Sequence, residues 1–247
     1  IANERVKDSA ENWSQRVKEF GLEHEADLVG ITRLDPDWLF EGYDLQSPWV
    51  VVLAFAMDQE RLVEVWPEHS SVIEVMVQYN RGVRAAKALT NFIRGQGYDA
   101  EAHGGPISGP FTMIPAALAA GLGELGKHGS IINRAYGSSF RLAAVTTDLP
   151  LIADKSDKFG ADEFCTSCQV CVRACPPDAI GDVKQLVRGT RKWYVDFDKC
   201  VAYFNETYGC GICIAVCPWS APGRAPNLAK RLTARLARLT ESEAEHS

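Results

Sequence analysis

All eight cysteines of this 247-residue chain lie between Cys165 and Cys217, and that clustering constrains the fold more than any other feature. They form two runs. The first reads Cys165, Cys168, Cys171, Cys175 and then Pro176; the second reads Cys200, Cys210, Cys213, Cys217 and then Pro218. The first has the C-x2-C-x2-C-x3-C-P spacing that holds iron–sulfur clusters. Three thiolates on a tight loop can cap three corners of a cubane, and the fourth stands on the helix that leaves the loop. The proline after each run fixes φ and has no N–H to donate, which turns the chain away. Zinc favours paired C-x2-C ligands, for which the triple Cys165, Cys168, Cys171 is awkward. Disulfide frameworks belong to short secreted chains, not to one end of a long chain with no signal peptide. The spacing therefore predicts two 4Fe–4S clusters. The second run is irregular, since Val201 to Gly209 separate its first two cysteines, but loop-closure entropy grows slowly with length.

The runs resemble two-cluster bacterial ferredoxins, in which the fourth cysteine of a run ligates the other cluster. That resemblance implies one set of Cys165, Cys168, Cys171 and Cys217, and a second of Cys200, Cys210, Cys213 and Cys175.

At 247 residues and 46% hydrophobic content the chain is long enough for one large domain or two modest ones with a real core. The formal net charge is −6, from 32 acidic and 26 basic residues. That balance argues against a general nucleic-acid binder. No stretch has the length of apolar sequence a membrane span needs. The polar N-terminus shows no secretory or twin-arginine pattern, so a cytoplasmic protein is expected, although the chain begins at Ile1 without a methionine and a leader could precede it.

Apolar periodicity predicts a helix over 3–20, carried by Val6, Ala10, Trp13, Val17 and Phe20 and ending at Gly21. Short strands are expected at Asp27–Ile31, Trp49–Phe55, Tyr98–His103 and Phe140–Thr147. Ser71 and Glu74 read as a capping box opening a long helix to Gly95. Gly104, Gly105, Pro106, Gly109 and Pro110 form a glycine-rich loop, followed by a helix from Thr112 to Ala120. This alternation indicates an α/β layer architecture. The expected division is 1–157, then a cysteine module at 158–223, then a basic helix and tail at 224–247 whose Leu228, Leu232, Leu236 and Leu239 would pack on the protein itself.

Gly121, Gly123 and Gly126 match G-x-G-x-x-G, but a helix precedes the block where a dinucleotide site needs a strand. Taken alone, these glycines read as a helix C-cap and turns. Their surroundings say more. The stretch Ala119–Gly129, then Phe140-Arg-Leu-Ala-Ala-Val-Thr-Thr-Asp148, then two cysteine runs, resembles the corrinoid-dependent reductive dehalogenases in order and content. The resemblance covers roughly residues 70–220. It implies a nitroreductase-like cobalamin-binding domain of mixed α/β (α+β) class fused to a ferredoxin-like two-cluster module. It also implies that Gly121, Leu122, Gly123, Glu124, Gly126, His128 and Gly129 lie against the corrinoid. In that family a tyrosine before an Ile-Arg-x-x-Gly-Tyr-x-Ala segment donates the proton; here the segment is Ile93–Ala100 and the tyrosine is Tyr79. A basic residue of the glycine block sits beside it, here Lys127. A phenol releases its proton more readily beside a cation that stabilises the phenolate. Without the resemblance, Tyr79 would read as a half-buried helix tyrosine and Lys127 as a solvated turn residue.

The implied activity is replacement of a halogen of an organohalide, most simply a halogenated aromatic, by hydrogen. Cob(I)alamin would be reduced through the two 4Fe–4S clusters, with electrons supplied by a separate low-potential donor such as a ferredoxin, flavodoxin or reductase. Two other readings compete. The epoxyqueuosine reductases share the architecture but carry an aspartate in a G-R-D-Y-H segment, where this chain has Gly82-Val-Arg84-Ala85-Ala86. A ferredoxin-type carrier would leave the long N-terminal part unexplained.

Overall fold

The computed structural model describes residues 1–65, 69–105, 109–187 and 189–245, so Pro106 of the glycine-rich loop lies outside the described residues. In chain order the elements are α1 (Ala10–Glu23), β1 (Leu28–Arg33), β2 (Trp49–Ala56), α2 (Gln59–Leu62), α3 (Ser70–Gly95), β3 (Ala100–His103) and α4 (Met113–Ala119). There follow β4 (Glu124–Leu125), β5 (Ile131–Ile132), β6 (Phe140–Thr147), α5 (Ala161–Ser167) and α6 (Val170–Ala174). The chain closes with β7 (Gln185–Val187), β8 (Thr190–Lys192), α7 (Phe197–Glu206), α8 (Ile212–Ala215) and α9 (Arg224–Glu245). The fold is mixed α/β, as expected, with a separate iron–sulfur-type module.

The chain forms two compact units that interleave in sequence. The first comprises 1–57, 75–122 and 140–156; the second comprises 58–74, 123–139 and 157–247. Segments 58–74 and 123–139 belong with the cysteines, and so does α9.

The first unit is built on a four-stranded sheet of order β1-β2-β6-β3, antiparallel at every pairing. β2 is covered on both faces, which is why it reads as an unbroken apolar run. Its odd-numbered residues Val51, Leu53 and Phe55 join Trp13 and Val17 of α1 and Leu89 and Ile93 of α3 in one core. α4 packs against β1 and β2. The first helix starts later than its periodicity predicts, at Ala10, because the Ser9 hydroxyl accepts from the Asn12 amide (3.1 Å) and caps it. Val6 lies outside the helix and is exposed. The helix also runs through Gly21 to Glu23; a Cβ at Gly21 would press to 2.8 Å from Val29. In the second unit, the Glu74 carboxylate accepts from the Asp58 amide (2.9 Å), a contact reaching back to the start of α2.

The core of the second unit gathers Ile132, Phe159, Cys165, Trp193, Cys217 and Trp219, with Ala225 and Ala229 of α9. Leu228 and Leu232 pack on it, so the basic helix covers its own module, while Leu239 stays half exposed.

Candidate functional site

Short helices present the cysteines. α5 carries Cys165, and Cys168 follows at its C-terminus; α6 carries Cys171 and hands on to Cys175. α7 carries Cys200 and α8 carries Cys213, with Cys210 just after Gly209, which adopts a left-handed φ of +107°. α6 and α8, the carriers of Cys171 and Cys213, pack together. All eight cysteines are free thiols.

The thiols sort into two neighbourhoods. Cys165 feels Cys217, Cys171 and Cys168. Cys200 feels Cys175 and Cys210, and Cys213 feels Cys210, Cys171, Cys175 and Cys200. Cys175 thus sits with the second run and Cys217 with the first. Burial first, then mutual repulsion, pushes Cys165 and Cys213 up to about 12 and Cys171 to about 11. Iron binds thiolates, so sites this hostile to unpaired thiolate suit a ligand that brings its own positive charge. Among the described residues no three His, Cys, Asp or Glu side chains converge on a single ion. Two wide sets of four thiols fit the donor chemistry of iron–sulfur clusters.

The glycine block is closely packed. Gly123 has φ +151°, and a Cβ there would fall 2.1 Å from the Ile132 carbonyl oxygen. At Gly126 it would meet the His128 ring at 2.6 Å, and at Gly129 the Val195 side chain at 2.9 Å. A Cβ at Gly121 would meet the Lys155 carbonyl at 2.5 Å, and Leu122 is buried. Each of these glycines is closely packed on the side where a Cβ would stand.

The polar residues of the block serve the cysteine module. Glu124 accepts backbone N–H groups from Phe159, Gly160 (2.8 Å), Ala161 (3.4 Å) and Asp162 (3.1 Å), which caps α5. His128 is buried, and burial pushes its imidazole down to about 4. Its Nδ1 accepts from the Ser130 amide (3.1 Å), so the proton sits on Nε2, which donates to Ser138 Oγ (2.9 Å). Both ring nitrogens are therefore committed. The Ser138 hydroxyl in turn hydrogen-bonds Cys217. Lys127 is 1% exposed; its Nζ donates to the Cys168 carbonyl (2.9 Å) and lies 4.7 Å from the Trp193 ring centre.

Tyr79 stands on α3 and is half-buried. The cation over its ring is Arg141, at the start of β6, with the guanidinium carbon 5.5 Å from the ring centre. That is within cation–π range. Arg141 was not singled out from sequence, because nothing in the local pattern of a strand says which helix residue it will meet. On the same face of α3, Met76 is 49% exposed one turn before Tyr79, and Val83 one turn after it lies beside Gly104 and Gly105. His103 instead joins the sheet's packing: its Nε2 pairs with Thr146 Oγ1 (2.8 Å), and its ring meets Phe111 edge-on. Where the epoxyqueuosine reductases carry their aspartate, Ala85 and Ala86 fill the core and Arg84 pairs with Glu25.

Eight clustered cysteines, none in a disulfide, mark the second unit as one of iron–sulfur type. Residues 164–221 match the family model for a 4Fe-4S dicluster domain. The tetrachloroethene reductive dehalogenase of Desulfitobacterium hafniense is 32% identical over 78% of this chain and 37% of its own length. That of Sulfurospirillum multivorans is 33% identical over 79% of this chain and 48% of its own. A solved catabolic reductive dehalogenase in complex with 3-bromo-4-hydroxybenzoic acid superposes with TM-score 0.84 at 27% identity, over 96% of this chain and 36% of that one. The chain is a homologue of the corrinoid-dependent reductive dehalogenases in both sequence and structure. It spans between about a third and a half of the length of these relatives. A solved epoxyqueuosine reductase bound to a tRNA stem loop shares the fold, with TM-score 0.58 at 17% identity.

Proposed function

We propose that this chain carries out reductive dehalogenation: an organohalide takes up two electrons and one proton, the carbon–halogen bond breaks, and halide leaves. The observation that carries this reading is the match to dehalogenases over nearly the whole chain, at a TM-score well above that for the tRNA-modifying enzymes. The two thiol quartets would each hold a 4Fe–4S cluster and pass electrons singly from a separate low-potential donor. Cobalamin, when bound, would supply the strong reducing power that carbon–halogen cleavage requires. The face of α3 bearing Met76, Tyr79 and Val83 is the surface of the first unit offered to the corrin and substrate.

Tyr79 is the proton donor to the carbon that loses the halogen. Arg141 is its cationic partner, holding the ring through a cation–π contact. Lys127, the basic residue offered by the family resemblance, has its ammonium on the Cys168 carbonyl and Trp193. Tyr79→Phe keeps the ring and deletes the transferable proton. With cluster and corrinoid content unchanged, anaerobic halide release from a bromophenol under a low-potential reductant should fall about 10²–10⁴-fold. Arg141→Met should slow it as well. Release at the parent rate by Tyr79→Phe would assign the proton to another group. A parent that releases no halide but reduces an epoxide on tRNA would replace the dehalogenase reading with the epoxyqueuosine one.

A further inference from the structure

Lys127 is a lysine buried inside the second unit. It is 1% exposed, yet among the described residues no carboxylate pairs with it. The nearby acids are engaged elsewhere. Glu124 is held by the backbone amides at the start of α5, and Asp162 accepts from Lys184 and from Trp193 Nε1 (2.7 Å). A lone buried ammonium is costly unless an anion lies close by. What lies close by is the first thiol quartet. Lys127 donates its own backbone N–H to Cys165, its ammonium reaches the Cys168 carbonyl, and its charge acts on Cys171. The fourth member, Cys217, receives the Ser138 hydroxyl, and Ser138 (0% exposed) is oriented from behind by His128.

We propose that Lys127 and Ser138 raise the reduction potential of the cluster held by Cys165, Cys168, Cys171 and Cys217. The step is the gain of one electron by the cluster from a low-potential donor; no bond breaks and no proton moves. A cluster liganded by four thiolates is an anion that becomes more negative when reduced. A fixed positive charge and a hydrogen bond to a ligand sulfur both favour the reduced form. Lys127 and Ser138 are positioning residues in this scheme, acting on the electron acceptor and not on substrate. The inference rests on the proposed occupancy of the quartets, but not on the identity of the halogenated substrate.

The test is an anaerobic redox titration of the reconstituted chain, following each cluster by electron paramagnetic resonance. Iron and sulfide counts are taken first. If the parent does not take up two clusters, the occupancy reading fails. With both clusters present, Lys127→Met keeps the side-chain length and removes the charge. It should lower the reduction equilibrium of one cluster about tenfold, equivalent to about 59 mV for a one-electron couple, and leave the other unmoved. Lys127→Arg should restore the parent value. Ser138→Ala removes one donor from Cys217 and should lower the same cluster by a smaller factor, about threefold. That variant decides the matter if Lys127→Met does not assemble. Midpoints equal to the parent's in assembled variants, or equal shifts in both clusters, would overturn the proposal.

Discussion

His128 shows how much a single side chain's role depends on what surrounds it. In sequence it stood beside a glycine block as a candidate for touching the cofactor; in the fold it is a buried neutral imidazole orienting Ser138. Because burial holds it near 4 against an ordinary 6.5, the unfolded chain binds a proton that the native chain refuses. Its contribution to stability is full above about pH 6.5 and is lost as the pH falls toward 4. Between pH 7 and 5 this one residue should cost about 2 kcal/mol of unfolding free energy. His128→Asn should show a pH dependence shallower by that amount in parallel urea titrations; equal slopes in the two proteins would refute the assignment.

Among the elements, α5 is the one most dependent on a distant residue. It has seven residues, opens at Gly160 in a left-handed conformation, and its N-terminal position makes no side-chain capping bond of its own. Glu124 supplies what is missing, placing a carboxylate where the helix dipole and its unpaired amides favour one. Since α5 presents Cys165, the cap also positions a cluster ligand. Glu124→Ala should remove about 1–3 kcal/mol of stability, measured by urea unfolding, and speed the loss of iron from the first quartet more than from the second. Glu124→Gln, which keeps the acceptor oxygen, should do less. Equal iron loss from both quartets would show that the cap does not govern Cys165.

At the scale of the molecule, the last cysteine of each run neighbours thiols of the other run. Cys217 perturbs the thiols of the first run and Cys175 those of the second. Cys175→Ala should therefore disturb the cluster of Cys200, Cys210 and Cys213, and Cys217→Ala that of Cys165, Cys168 and Cys171. The two variants can be separated by their paramagnetic resonance signals after reconstitution. Loss of the first-run signal in Cys175→Ala would exclude this crossed arrangement. The same interleaving runs through the whole chain, since segments 58–74 and 123–139 leave the first unit's stretch of sequence and fold with the cysteines. No described helix is long and apolar enough to cross a membrane.

The four strands of the main sheet, the long helix and the two cysteine runs were legible in the sequence because each rests on short-range regularity. An unbroken apolar run such as Trp49–Ala56 has few places to go but a sheet covered on both faces. The spacing of Cys165, Cys168 and Cys171 is itself a coordination geometry. Pairings across long separations were not legible. Nothing local in Phe140–Thr147 announces that Arg141 will rest on the ring of Tyr79. The sequence around Glu124 and Lys127 likewise gives no sign that one caps α5 and the other reaches Cys168. The glycines around them are positions where a side chain does not fit, but the sequence does not say what fills the space. At Gly123 it is the carbonyl of Ile132, and only the packed chain brings those two backbones together. Local pattern reports how a residue relates to its neighbours in sequence, whereas charge, burial and hydrogen bonding at a site depend on neighbours in space.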